Sequence, residues 1–443
     1  MELIIIVYDR FIISNVAKGK GFGFCIYIVI VGVYSLLNGL IGRVISERIW
    51  FDIYRWVLIL LLLLLMLMVV VMGFYERANS NRWDLILFFY IIMFIILYLV
   101  LSMRKLLSFF ILFEFVVVPI FIIILGWGYR GNRIQAAFYI FLYTILSSLP
   151  FLLGILFFMR EGLLVALRGE IRVNSLYMNE FIWVLFLLVF IVKLPVFMVH
   201  LWLPKAHVDA PLLGSIILAG ILLKLGGYGV YKTIRIRIRW FIAGKGLIIS
   251  FCLLGSLYMC VRCLRQIDIK SIVAYSSIVH MGPVLMTFFL GVYVNVIGGL
   301  LMILSHGFCS SALFYVVNKA YRWLGRRSLF LLRGGVVIRS VFSFFWFFMC
   351  IANMGCPPLF NFFSELFILL GSMAWGGLVM YFFIILLLGA GFYCVLMYTF
   401  FNHGGGERLG EWVDCLNLRD LVGLCFHGYF ILMFILFIGN ILC

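Results

Sequence analysis

The chain has 443 residues, of which 66% are hydrophobic and 12% charged, and its formal net charge is +17. Soluble domains carry roughly 25% charged residues, so an ordinary water-facing surface is excluded, as the mean hydropathy of +1.23 also says. The basic excess sits in short segments between apolar runs, as in KTIRIRIRWFIAGK (232–245) and KAYRWLGRR (319–327). There it anchors helix ends and faces anionic membrane lipids; the soluble basic face that nucleic acid needs is not in the pattern.

In chain order, MELIIIVYDRFIISN (1–15) has neither the basic start of a secretory signal nor the Arg- and Ser-rich character of a transit peptide. It reads as a shortened first helix or an interfacial segment. Apolar runs follow at 22–41, 57–75, 85–101, 106–125, 134–158, 180–203, 209–231, 246–265, 270–290, 293–318, 338–374, 378–400 and 424–442. They reach the ~20 residues that cross a bilayer core as a helix, and they lack the alternation of β-barrel strands. With 2–15 included, the expectation is an all-α polytopic membrane protein of about fourteen transmembrane helices. The connections are short, the longest being 160–179, 319–337 and 402–423.

Two runs are interrupted. KLP (193–195) breaks the first near 193–204, and GCPP (355–358) breaks the second near 354–358. Proline removes a backbone donor and clashes with the preceding turn, so Pro195, Pro357 and Pro358 are the expected helix breaks. Broken backbone at membrane depth survives only inside protein or beside a wet cavity, and a matched pair of broken helices points to an inverted-repeat transporter.

Ionisable residues inside spans are costly and are functional candidates by default. The scan returns Glu114, Lys193, Lys224, His306 and Glu365. Each has an ordinary alternative: a static ion pair for Glu114, snorkelling for the lysines, a core histidine bonded to Ser305 or Ser310, a loop cavity for Glu365. Proton handling is the one reason they share, because burial disfavours charge and a partner restores it, so a buried Glu–Lys pair responds to separation. Gly220 and Gly227 leave a small face beside Lys224, while Ser276, Ser277 and His280 form one polar stripe and His306, Cys309 and Ser310 another. Such stripes hold a water chain or glue helices together. KLGGYG (224–229) lacks the preceding Thr-Val of a K⁺ filter. Of the 11 cysteines, only Cys260 and Cys263 form a C-x-x-C, with no second pair or nearby histidine, so no metal site is expected.

The segments KLPVFMVHLWLPKAHVDAP, LLKLGGYGVYK, LRQIDIKSIVAYSSIVHMG and SHGFCSSALFY closely resemble the antiporter-like membrane-arm subunits of respiratory complex I, with wording nearest the mitochondrial branch. The likeness is strong over about 90–400 and rests on hydrophobicity alone at both ends. It implies two inverted five-helix repeats, 85–231 and 246–400, preceded by N-terminal helices in 1–84 and followed by a loop and last helix in 401–443. It also implies proton translocation along Glu114, Lys193, Lys224, His306 and Glu365, with His200, His207 and His280 on the proton route. Other membrane-arm subunits, antiporter-like paralogues among them, are the implied partners. NADH, FMN, iron–sulfur clusters and ubiquinone are expected in other subunits, with no cofactor in this chain. The implied location is the mitochondrial inner membrane, and the abundance of Phe, Gly, Val and Cys against rare Gln and Thr suits an organelle-encoded, T- and G-rich coding strand. Two departures stand out: Asp209 replaces the usual Glu, and GYRGNR (128–133) replaces an acidic, Pro-containing loop. A stand-alone cation/proton antiporter subunit and a structural spacer with frozen ion pairs are the alternatives.

Overall fold

A computed structural model describes residues 49–76, 83–103, 105–129, 131–160, 180–236, 245–325, 327–331, 340–403 and 418–442. The spans expected at 2–15 and 22–41 lie outside these residues, as do most of the loops 160–179 and 402–423. The described elements are α1 (Ile49–Glu76), α2 (Trp83–Ser102), α3 (Leu106–Phe115), α4 (Val117–Trp127), α5 (Arg133–Arg160), α6 (Glu180–Lys193), α7 (Trp202–Asp209), α8 (Leu212–Ile217), a π-helical turn (Leu218–Leu222), α9 (Leu223–Ile236), α10 (Lys245–Leu264), α11 (Ile269–Leu290), α12 (Tyr293–Leu324), a 3₁₀ turn (Leu329–Leu331), α13 (Ser340–Met354), α14 (Phe360–Met373), α15 (Gly377–Asn402) and α16 (Leu418–Leu442).

The protein is an all-α polytopic membrane fold. Every expected span from 57–75 onward has its helix or pair of helices. In hydrocarbon each backbone N–H and C=O must be bonded within its own segment, which leaves these runs no alternative to helix.

Burial sorts the spans into an inner and an outer set. The spans Leu212–Ile234, Ile269–Leu290 and Tyr293–Arg322 are each 94% buried over their apolar windows, against 39% for Arg133–Phe157 and for Gly377–Asn402. On α5, the outward stripe Leu142, Leu146, Leu149 and Leu153 is exposed, at i, i+4, i+7 and i+11, and faces lipid or a neighbouring subunit. The inner helices pack on one another: α12 touches α11, α13, α14 and α16 as well as the α8–α9 segment. Polar residues on these helices are therefore screened from lipid by protein.

Both expected interruptions are present, at 194–201 and 355–359. α6 ends at Lys193 and α7 begins at Trp202; α13 ends at Met354 and α14 begins at Phe360. Two further irregularities were not expected. The 106–127 span breaks at Val116, where Pro119 takes away the amide that would bond the Phe115 carbonyl. The 212–236 segment contains the π turn at 218–222.

Candidate functional site

A helix that stops inside the membrane leaves carbonyls without amide partners, and at both breaks a side chain from beyond the gap closes one of them. Trp202 Nε1 donates to the Val192 carbonyl at 3.0 Å. Asn361 Nδ2 donates to the Ala352 carbonyl at 2.9 Å. The first gap also contains Met198 at φ 73°, a left-handed conformation that a non-glycine side chain adopts only when its surroundings impose it.

Lys193, the last residue of α6, turns towards the break in the neighbouring span. Its Nζ donates to the Phe113 carbonyl at 2.9 Å, lies 3.3 Å from Glu114 Oε1, and sits 3.3 Å above the Phe113 ring centroid. A cation in a site 6% exposed thus has a carboxylate, a carbonyl and an aromatic face. Behind it, a Cβ on Gly226 would lie 2.8 Å from the Leu194 nitrogen and 3.1 Å from the Lys193 carbonyl carbon. Only glycine lets α9 approach the broken backbone this closely.

Lys224 follows the π turn by two residues. Its Nζ donates to the Ala219 carbonyl, inside that turn, and is 3.0 Å from His306 Nδ1. A single wide turn of this kind re-aims the residues after it and recurs at functional sites. As an acceptor from Lys224, Nδ1 leaves the His306 ring proton on Nε2, which has no partner among the described residues.

From His306 the polar line continues. The His280 and His306 ring centroids are 5.6 Å apart. His280 Nδ1 is 3.9 Å from Glu365 Oε1, and its Nε2 is 3.1 Å from the Tyr393 hydroxyl. The Glu365 carboxylate packs on Gly355, whose φ is 74°. A side chain at Gly355 would be strained by that backbone and would meet the carboxylate.

The structure therefore joins Glu114 to Lys193, and Lys224 to His306, His280 and Glu365. No side-chain contact among the described residues links Lys193 to Lys224; the Gly226 approach connects them through backbone. His207 is fully buried, stacks on Phe314 at 4.5 Å and lies within electrostatic reach of Lys224 and Lys270. Neither of its ring nitrogens has a hydrogen-bond partner among the described residues. His200 stands apart: its ring stacks on Phe197 at 5.9 Å and meets Tyr275 edge-on at 6.4 Å, away from the other members. Lys205 lies over the Tyr139 ring at 3.7 Å, an anchoring contact at an exposed position.

Beyond His207 the segment reaches an end of the helical bundle. Tyr129 N–H donates to the Asp209 carbonyl at 2.9 Å, and the Tyr129 hydroxyl donates to Asn318 Oδ1 at 2.8 Å. Arg327 lies over the Tyr129 ring at 4.4 Å. The departing GYRGNR loop is thus tied to the centre by aromatic and backbone contacts. Burial pushes the Asp209 carboxyl up from its ordinary range, against the pull of Arg327 and Lys270. Among the described residues, no group of three His, Cys, Asp or Glu side chains could hold a metal ion, and Cys260 and Cys263 are both buried in α10.

The defining pattern of the NADH:quinone oxidoreductase/Mrp antiporter transmembrane family matches residues 103–390. That match spans both breaks and every member of the polar line. The chain belongs to this family.

Within this antiporter-like family, the chain is 37% identical over 308 residues to NADH-ubiquinone oxidoreductase chain 4 of Artemia franciscana, covering 70% of this chain and 78% of that one. It is 36% identical to the protein of the same name from Rhipicephalus sanguineus, over 86% of each chain. Among solved structures it superposes on a chain of respiratory complex I from Thermus thermophilus with TM-score 0.78 and 21% identity, covering 88% of this chain and 82% of that one. It superposes on a chain of the Mrp complex from a Dietzia species with TM-score 0.81 and 15% identity, covering 98% and 90%. These two likenesses are of fold.

Several buried polar contacts of this family member were not visible in the sequence. Tyr393 is one of 22 tyrosines, and its place beside His280 is set by the packing of α15. Asn353 donates to Tyr393 from α13 and had no distinguishing spacing. Lys319 and Asp420 form an ion pair at 2.6 Å, which Tyr315 joins at 2.8 Å. Their separation along the chain hides that contact.

Proposed function

We propose that this chain is the proton-translocating counterpart of chain 4 in the membrane arm of NADH:ubiquinone oxidoreductase, in the mitochondrial inner membrane. The reading rests on one observation above all: the line of side chains Lys224, His306, His280 and Glu365, each 5% exposed or less. The animal relatives named NADH-ubiquinone oxidoreductase chain 4 support the assembly in this reading. Other membrane-arm subunits, including antiporter-like paralogues, are its neighbours, and membrane lipids cover the outer helices.

In this reading 85–231 and 246–400 are two repeats, each with its own break and buried acid. The first repeat stores a proton on Lys193, held by Glu114. Moving Glu114 away withdraws the charge that stabilises the ammonium, and the proton passes towards Lys224. Lys224, His306, His280 and Glu365 titrate as a set, so charge arriving at one end favours release at the other. His207 and Asp209 lead from the aqueous end towards Lys224, while His200 serves the first break. Pro195, Pro357 and Pro358 interrupt the helices so that each repeat can admit water. NADH, FMN, iron–sulfur clusters and ubiquinone belong to other subunits; this chain carries protons.

Lys193→Met in the intact complex tests the reading. Assembly on native gels should be normal, with NADH:quinone turnover and proton translocation falling together by roughly tenfold, about 1.4 kcal/mol of barrier. Equal losses of assembly and turnover would favour a spacer with frozen ion pairs. The likeness in fold to the Mrp complex keeps a cation/proton antiporter as the second reading, and co-purification with redox subunits separates the two.

A further inference from the structure

At His280 a side group joins the polar line from outside. The His280 Nδ1 faces Glu365 Oε1 at 3.9 Å, and its Nε2 faces the Tyr393 hydroxyl at 3.1 Å. A neutral imidazole carries its proton on one nitrogen and accepts on the other. Which nitrogen carries it decides whether a proton or a lone pair is presented to Glu365.

The imidazole donates one hydrogen bond to the Asn353 backbone, and the surroundings of Tyr393 favour Nε2 as the accepting nitrogen. Asn353 Nδ2 donates to the Tyr393 oxygen at 3.4 Å and faces Cys394 Sγ at 3.4 Å. At its other end the amide oxygen faces the Cys309 thiol at 3.9 Å, which lies equally far from the Met349 carbonyl. The phenol oxygen thus accepts from Asn353, and its own O–H is left to donate. His280 Nε2 is its acceptor. With the imidazole proton on Nε2 instead, two donors would converge on the phenol oxygen. The phenol proton would then be left to the Cys394 thiol, a weak acceptor, which is a costly exchange at a residue 1% exposed.

We propose that Tyr393, oriented by Asn353, is a positioning residue that keeps the proton of neutral His280 on Nδ1, the nitrogen facing Glu365. The inference rests on the proton-translocating reading and adds a control to it. Asn353 lies two residues before the glycine that opens the second break, and Glu365 lies just beyond that break. Movement at the break therefore shifts the orienting amide and the acceptor together. The proton transfer balances without the phenol giving up its proton: a second proton arriving on Nε2 from the Lys224–His306 side makes His280 an imidazolium, whose Nδ1–H bond then breaks as a Glu365 O–H bond forms.

The test uses the intact complex, with protons translocated per NADH, NADH:quinone turnover and native-gel assembly measured together. Tyr393→Phe keeps the ring and removes the hydroxyl. It should assemble normally and lower turnover by about fivefold, the equivalent of about 1 kcal/mol for one net hydrogen bond. Asn353→Leu should give a smaller fall, and the double variant should match Tyr393→Phe alone, because both act through one hydroxyl. A merely structural role predicts losses that multiply. Normal turnover in Tyr393→Phe, or multiplied losses in the double variant, overturns the inference. Should Tyr393→Phe not assemble, Asn353→Leu carries the test, and normal turnover in it is the overturning result. His280→Gln separates the two levels. If it translocates normally, the underlying proton-route reading fails; if it is impaired while Tyr393→Phe is normal, only the positioning role fails.

Discussion

Replacing Glu114 with glutamine preserves the side-chain size and removes one charge. Lys193 Nζ lies 3.3 Å from the carboxylate, so at an effective dielectric constant of about 20 the lost attraction is about 5 kcal/mol. The Phe113 carbonyl at 2.9 Å and the ring beneath the ammonium remain, together worth about 2–3 kcal/mol. The carboxylate is thus the larger support of the charged form. If about a third of the lost attraction enters the proton-transfer barrier, turnover falls by roughly tenfold. Assembly should be intact, because glutamine still fills the site and the carbonyl still binds Lys193. Glu114→Asp, which keeps the charge one methylene further back, should fall between the two. The assay is NADH:quinone turnover with proton translocation in intact complex, assembly being read on native gels. An assembled complex that turns over and pumps normally would refute the reasoning at its first residue.

Other outcomes follow from geometry elsewhere. Gly226→Ala places a methyl 2.8 Å from the Leu194 nitrogen and 3.1 Å from the Lys193 carbonyl carbon, backbone atoms that cannot turn aside. It should destabilise the contact by about 1–3 kcal/mol, seen as a lower temperature of inactivation, and an unchanged temperature would show that the close approach is not required. Asp420→Asn leaves Lys319 buried without its carboxylate at 2.6 Å, at a cost of about 3–5 kcal/mol. The loss should appear as reduced assembly or detergent resistance. Lys319→Met with Asp420→Leu should recover most of it, and a double variant as weak as the single one would contradict the pairing.

The polytopic helical fold was legible because lipid enforces one rule on every segment. A run of ~20 apolar residues must satisfy its own backbone, so span and helix coincide. The breaks at KLP and GCPP were legible for the same reason, since a proline inside such a run removes a bond that nothing local replaces. Pro119 shows where this reasoning is incomplete. It breaks the 106–127 span at Val116, whereas Pro150 and Pro283 sit within helices that continue through them. The π turn before Lys224 carried no sequence signal beyond Gly220, because this span is 94% buried and has no single apolar face whose phase the extra residue would shift.

The acid and base groups of the polar line stand out in sequence because a charge in hydrocarbon is conspicuous. Their pairing does not. The Lys193–Glu114 contact joins residues 79 positions apart and the Lys224–His306 contact residues 82 apart, and neither interval has a local meaning. His200 and His207 look alike in the sequence, seven residues apart. Packing gives them different surroundings: Phe197 and Tyr275 for the first, Phe314 and the charge of Lys224 for the second.

By itself, then, the sequence determined a multi-helix membrane protein with two broken spans and an uncommon set of buried ionisable groups. Hydropathy and proline chemistry act locally and leave their mark on the residue order. Only the tertiary structure decided which of those groups meet, and that Tyr393 and Asn353 meet His280. Such contacts depend on how helices distant in the chain pack, and a tyrosine is recognisable as a proton's partner only once a histidine nitrogen stands 3.1 Å from its hydroxyl.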